Sequence, residues 1–217
     1  VLSCDGIATY KRQAEMLSDV FLVTEEFEMP AIRLSEYVKL YKPFYPNFSD
    51  EVLQECLADF ELPSDVHLNE LSMGQRKKAY IAFAMATNTK YLFMDEPTNG
   101  LDIPSKSQFR KVIARHMTEE RTVVVSTHQV HDVEQMLDHI LMLDQRSVLL
   151  NASMQEIQDH YTFEYRSPQQ MDDTVLYAEP TLQGNAVIRR RQEGDAETQV
   201  NLELLFNYKT TSKTGSV

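Results

Sequence analysis

The period of the apolar positions changes along the chain, and each change marks an element. Positions 1–5 (VLSCD) read as a short extended piece ahead of Gly6, and positions 18–24 (SDVFLVT) as a buried strand rich in β-branched and aromatic residues, closed by Glu25-Glu26. From Ala31 to Asp65 the spacing turns helical. Leu34, Val38 and Leu40-Tyr41 share one face, Lys42-Pro43 and Tyr45-Pro46 break the run, and Ser49 opens a second helix with Val52, Leu53, Cys56, Leu57 and Phe60 as its apolar positions. The pattern then predicts a helix over 72–88, a strand over 91–94, a helix over 105–118, a strand over 122–126, a helix over 130–138 and a strand over 140–143. Such alternation implies parallel strands with helices packed on the sheet faces.

From Asn151 the rhythm shortens. Tyr161, Phe163 and Tyr165 alternate, positions 174–178 and 186–190 are strand-like, and 200–206 reads as a closing helix. The expected organisation is a main domain over 1–150 with a helical insert at about 31–70, a small appendage over 151–208, and a disordered tail over 209–217, where the polar run KTTSKTGSV lacks an apolar anchor before its last residue. No internal repeat is visible.

Composition narrows the functional classes. A formal net charge of −12 and a pI near 4.9 argue against a nucleic-acid binder, whose affinity comes from Lys and Arg on phosphates. Arg189-Arg190-Arg191 is the exception, and it reads as a solvated strand end. No apolar run reaches the length of a spanning helix, so a membrane role requires a partner. Two cysteines, Cys4 and Cys56, give no disulfide framework, and the first residues lack the order of a secretory signal.

Three stretches carry candidate chemistry, and each has a plain alternative. The strand over 91–94 runs into Asp95-Glu96 and the turn Pro97-Thr98-Asn99-Gly100, which places two carboxylates at the carboxyl edge of a parallel sheet, where ligands bind in open α/β folds. The first could hold a Mg²⁺ shell and the second orient a water; alone, the pair is also a common polar strand end. Leu71-Ser72-Met73-Gly74-Gln75 opens the next helix. Ser72 and Gln75 are explained as a capping box, and the same helix start is an anion site if left uncovered. The strand over 122–126 ends at Thr127-His128, a histidine that is either a surface residue or a catalytic one. A metal cluster of His128 with His131 and Asp132 is set aside for want of a fourth ligand.

Order and spacing join the three, with room for one helix and one strand between successive stretches. LSMGQ (71–75) resembles the ABC signature motif, FMDEPTNGLD (93–102) the Walker B motif running into the D-loop, and STH (126–128) the switch-histidine loop. The resemblance is to ABC transporter ATP-binding subunits and covers about residues 1–150. It implies an α/β, P-loop NTPase fold of the ABC ATPase type with a helical insert, lacking its first strands, plus the C-terminal appendage. It further implies ATP and Mg²⁺ as cofactors, Asp95 supporting the metal, Glu96 as general base, His128 on the γ-phosphate, and Leu71, Ser72, Met73, Gly74 and Gln75 with Asp102 at nucleotide across a dimer interface. Two departures stand out: Glu25 falls where such ATPases place a glutamine, with Thr24 or Glu26 as neighbours, and Met73 replaces a glycine.

The phosphate loop, G-x-x-x-x-G-K followed by Ser or Thr, is not in the sequence: the glycines are Gly6, Gly74, Gly100, Gly184, Gly194 and Gly215, and no two are five apart. The chain opens on Val1, and the expectation is truncation ahead of it, with the chain alone inactive. The implied partners are a transmembrane permease and a second ATPase subunit, as homodimer or sister, with no nucleic acid; the implied location is cytoplasmic, peripheral at the inner face of the membrane. Tyr45-Pro46-Asn47-Phe48 and the 201–206 segment look similar to ATPases serving export-type permeases. The rivals are a soluble ABC ATPase acting on ribosomes or DNA, and a non-hydrolysing fragment that only pairs.

Overall fold

A tight reversal begins the chain: β1 (Ser3–Cys4) pairs antiparallel with β2 (Ile7–Ala8) around Asp5 and Gly6, at φ 48° and 77°, conformations that glycine takes without steric cost. The computed structural model describes residues 3–144 and 147–214, so Val1 and Leu2 of the expected first strand lie outside the described residues. The chain resolves into two units, 1–132 and 133–217. That division falls earlier than the expected boundary at 150.

In the first unit α1 (Ala14–Ser18) leads into β3 (Val20–Val23), followed by α2 (Leu34–Tyr41), α3 (Asp50–Asp59), α4 (Met73–Ala86), β4 (Tyr91–Asp95), α5 (Ile103–His116) and β5 (Thr122–Ser126). The three strands form one parallel sheet in the order β3-β4-β5, with Leu22 opposite Phe93 and Phe93 opposite Val124. Helix α2 and helix α3, whose start is capped by Ser49 accepting from the Val52 amide, fall in the 31–70 stretch where helical spacing was expected. Helix α4 is buried nearly all round. Ala79, Ile81, Ala82, Phe83, Ala84, Met85 and Ala86 are in the core, and Phe83 meets Phe21, Tyr37 and Phe48 with ring centroids 5.0–5.9 Å apart. Such a helix has no polar face to orient it, so its ends do so. Its last carbonyls are taken by buried Arg121, which donates to Met85 O at 3.0 Å and Ala84 O at 3.4 Å, and beyond the helix to Thr89 O at 3.1 Å.

Where a helix was expected over 130–138, the chain makes two single 3₁₀ turns, Val130–Asp132 and Glu134–Met136. The Asp132 carbonyl, which a continuing helix would use for its own ladder, accepts from Arg110 Nη1 at 3.2 Å, and the Asp132 carboxylate pairs with Lys106 at 2.7 Å.

The second unit contains β6 (His139–Asp144), β7 (Ser147–Ser153), α6 (Met154–His160), β8 (Tyr161–Arg166), β9 (Val175–Thr181), β10 (Gly184–Arg190) and α7 (Leu202–Thr214). The strand expected at 140–143 is present as β6 but pairs antiparallel with β7 rather than joining the parallel sheet. The connection is too short for a crossover, and a short connection enforces a hairpin. The three appendage strands form an antiparallel sheet in the order β8-β10-β9. Helix α7 runs through 209–214, the first part of the tail expected to be disordered; residues 215–217 lie outside the described residues. Leu202, Leu204 and Leu205 are buried, and this anchor upstream carries the polar turns after it. Among the described residues no helix is long and apolar enough to cross a membrane.

Candidate functional site

The carboxyl edge of the parallel sheet gathers Asp95, Glu96, Ser126, Thr127 and His128. Strands β4 and β5 end in register, Asp95 opposite Ser126, and the Ser126 hydroxyl donates to Asp95 Oδ1 at 2.6 Å. One residue on, the Glu96 amide donates to Ser126 O at 2.9 Å and extends the ladder, while Glu96 itself sits at φ 43°. For a residue with a long side chain this left-handed conformation costs on the order of 1–3 kcal/mol and persists only where the surroundings over-determine it.

Its surroundings do so. The Glu96 carboxylate accepts the Thr127 hydroxyl at 2.9 Å and the His128 amide at 2.9 Å, and it meets His128 Nδ1 at 2.6 Å. Thr127 is oriented in turn because its oxygen accepts the Gln129 amide at 2.9 Å. Burial pushes the Glu96 carboxyl up, but the bonds from the His128 ring, the Thr127 hydroxyl and the His128 amide outweigh it and hold the group below its ordinary value. The Glu96 side chain is 15% exposed and that of His128 71% exposed, so the carboxylate is sheltered while the imidazole faces outward.

The turn after Glu96 is held from behind. Asn99 N donates to Glu96 O at 3.1 Å, Lys77 Nζ donates to Glu96 O at 3.0 Å and to Asn99 O at 2.9 Å, and the Asn99 amide donates to Glu25 Oε1 at 2.6 Å. Glu25, which follows β3, is thus tied to the residues after β4. Gly100, at φ 76°, completes the reversal into α5.

The signature stretch forms a second cluster. Ser72 caps α4 and both halves of the capping box are made: Gln75 N donates to Ser72 Oγ at 3.3 Å and Ser72 N to Gln75 Oε1 at 3.0 Å. Leu71 is buried and its carbonyl accepts from Arg76 Nε at 3.0 Å, whereas Met73 is exposed at the helix start. A Cβ on Gly74 would meet Gly100 O at 3.7 Å, so the helix start lies against the turn that leads to Asp102. Asp102 caps α5 by accepting from the Ser105 amide at 2.9 Å; its bonds to Ser105 hold its carboxyl below the usual range. Together Ser72, Gly74, Gln75, Lys78, Asp102 and Ser105 line a cavity of about 530 Å³. The capping reading and a site at the helix start are therefore compatible, because Ser72 and Gln75 line the cavity while making the box.

The sequence-derived residues fall into these two clusters, with Asp95, Glu96, His128 and Glu25 at the sheet edge and Leu71, Ser72, Met73, Gly74, Gln75 and Asp102 at the helix starts. Sequence reasoning missed Lys77, Asn99 and Thr127. Lys77 carried no signal that set it apart from Arg76 and Lys78, its neighbours in a basic run. Among the described residues no group of three or more His, Cys, Asp or Glu could hold a metal ion by itself. Asp95 beside the Ser126 hydroxyl is a hard-oxygen set that suits Mg²⁺, an ion usually held by one or two carboxylates plus substrate phosphates.

Residues 7–99 match the profile of the ABC transporter family. The chain is 21% identical over 158 residues to the ABC transporter ATP-binding protein YtrB of Bacillus subtilis (strain 168), covering 72% of this chain and 54% of that protein. It is 31% identical over 137 residues to the zinc uptake system ATP-binding protein ZurA of Listeria innocua, covering 62% of this chain and 52% of that protein. Among solved structures, one described as the ATP binding subunit of an ABC transporter superposes with a TM-score of 0.64 at 18% identity, over 72% of this chain and 68% of that one, a likeness of fold. The chain spans about half the length of these two curated relatives.

Proposed function

From the premise that this chain carries an ABC-type ATPase domain, we propose that it supplies the water-activating and signature elements of an ATP hydrolase that drives a membrane permease. The observation that carries the reading is the Glu96 carboxylate, sheltered at the sheet edge and held by His128 and Thr127. When bound, Mg-ATP supplies the electrophilic γ-phosphoryl group and the charge that the site must compensate. Asp95 contributes a carboxylate to the metal's surroundings. Glu96 takes a proton from the attacking water. His128 meets Glu96 through Nδ1 and, as an imidazolium, would donate from Nε2 to a phosphate oxygen. Glu25 stands in the glutamine's place and is linked to Asn99.

None of the 217 residues forms a G-x-x-x-x-G-K loop, and we infer that the chain alone does not turn over ATP. Ser72, Gly74 and Asp102, lining one open cavity, suit nucleotide presented by a second ATPase subunit. The protein then sits at the inner face of the membrane through its permease. The export-type placement rests on Tyr45-Pro46-Asn47-Phe48 and the leucine-rich start of α7; the zinc uptake relative is a reminder that this domain also serves import.

The test is turnover of the complete ATPase, phosphate loop included, before and after Glu96→Gln. The amide keeps the shape and cannot take the proton, so turnover falls by about 10² to 10⁴-fold with ATP binding intact. Retention of more than about a tenth of turnover would remove Glu96 from the role of base.

A further inference from the structure

Lys77 lies in the second turn of α4 with 5% of its surface exposed. An ammonium group taken out of water is costly unless its hydrogens are bonded, and methionine would fill the same space without that cost. Its bonds go to two particular carbonyls, Glu96 O at 3.0 Å and Asn99 O at 2.9 Å, the two ends of the turn that follows β4. The Glu96 carbonyl belongs to the peptide just past the left-handed φ of 43°, and it also takes the Asn99 amide. Fixing that peptide fixes the direction in which the Glu96 side chain leaves the strand. Among the described residues no hydrogen bond links Lys77 to a carboxylate, although those of Glu25, Glu96 and Asp95 lie close enough to favour its charge against the larger effect of burial. Its geometry is therefore that of a clamp on backbone rather than of an ion pair.

We propose that Lys77 is a positioning residue: its buried ammonium clamps the Glu96–Asn99 turn, and through it keeps the Glu96 carboxylate seated on Thr127 and His128. Without the clamp the Glu96 backbone relaxes toward negative φ and the carboxylate swings off its donors. The same helix presents Gly74, Gln75 and Lys78 to the second cluster, so Lys77 is also the mechanical link between the two. This inference rests on the reading of Glu96 as the general base.

The experiment compares wild type, Glu96→Gln, Lys77→Met and Lys77→Arg in the complete ATPase, with kcat expressed per folded molecule from circular dichroism. Lys77→Met is expected to lower kcat by about tenfold or more while KM for ATP stays within about twofold, the signature of a contribution made in the transition state. Lys77→Arg keeps N–H donors for both carbonyls and is expected to recover most of that loss. Should Lys77→Met fail to fold, Lys77→Gln, whose amide stops one atom short, takes its place with the same expectation. A folded variant with kcat unchanged, or a loss that follows the folded fraction alone, overturns the proposal. If Glu96→Gln abolishes turnover while Lys77→Met does not, only this inference falls; if Glu96→Gln leaves turnover intact, the base assignment falls and takes the inference with it.

Discussion

At the scale of single residues, the site turns on how a carboxylate is kept both ionised and aimed. Thr127 gives Glu96 a hydroxyl hydrogen at 2.9 Å, and Thr127→Val removes that donor at nearly constant shape. The groups facing Glu96 are then His128 from the loop after β5, Lys77 from α4, and Asp95 beside it. Because Glu96 titrates below its ordinary value in the folded protein, it stays ionised further into the acid range than a free carboxyl does. Losing a donor raises its pKa, so the acid limb of turnover in the complete ATPase should move to higher pH in Thr127→Val. A carboxyl ¹³C titration of Glu96 should move the same way; an unshifted limb would mean that Thr127 only shapes the loop. The same sign governs stability: the depressed pKa contributes above the unfolded value, and the contribution is lost as pH falls through the folded one. The placement of Asp95, Glu96 and His128 at the ends of two strands was legible in the sequence because each follows its apolar run directly. Thr127 was passed over within that stretch because its partner is 31 residues away, as Asn99 was because Glu25 is 74 away. Lys77 was read only as part of a basic run. No local pattern encodes such pairings, which exist only once β3, β4 and β5 are aligned.

At the scale of elements, periodicity found β3, α2, α3, α4, β4, α5 and β5, passed over the short β2 and α1, and failed where side chains from elsewhere intervene. Val130, Val133 and Leu137 have helical spacing, yet Arg110 and Lys106 hold Asp132 and interrupt the ladder. The strand at 140–143 was legible, but its partner β7 was not read as a strand, so its sheet was misassigned. The appendage strands were found because Tyr161, Phe163 and Tyr165 alternate, and β10 illustrates what holds them together. Arg189 makes a two-toothed bond to Asp195, 2.6 and 2.9 Å, and meets Glu164 at 3.1 Å on β8. The guanidinium holds the Asp195 carboxyl down to about 2, with help from the Gln192 amide. Its folded pKa is depressed, so its contribution to stability is complete above the unfolded value of about 3.9 and disappears as pH falls through about 2. Asp195→Asn should therefore destabilise the second unit at neutral pH and converge with wild type in strong acid. Amide hydrogen exchange of β10 across pH checks this, and a difference independent of pH would show that the carboxylate's charge is not involved.

At the scale of the whole chain, the parallel sheet is covered on one side. Phe21, Val23, Leu92 and Met94 are buried on the face turned to the helices, while Leu22, Phe93 and Val124 form an in-register row on the other, 52, 38 and 45% exposed. Parallel sheets are almost always covered on both faces, because every strand of a crossover unit carries apolar side chains to each side. Sequence alone suggested such coverage, since the runs FLV and LFM are apolar without alternation. Fully burying one side chain of this size is worth about 1.5–3 kcal/mol, so three together approach the net stability of a typical domain. The 217-residue chain in solution should relieve this by associating through the bare row and should bind a hydrophobic dye there. Replacing Leu22, Phe93 and Val124 with Thr supplies a β-branched residue of the kind strands favour at each position and removes most of the apolar surface. These side chains point away from the packed face, so the triple variant should melt at nearly the same temperature as the parent. Sedimentation velocity and dye fluorescence on both proteins decide the matter: association and dye binding should fall together in the variant. A parent chain that stays monomeric and silent to the dye at its highest soluble concentration would show that this face is satisfied by solvent, against the cost reckoned from its exposure.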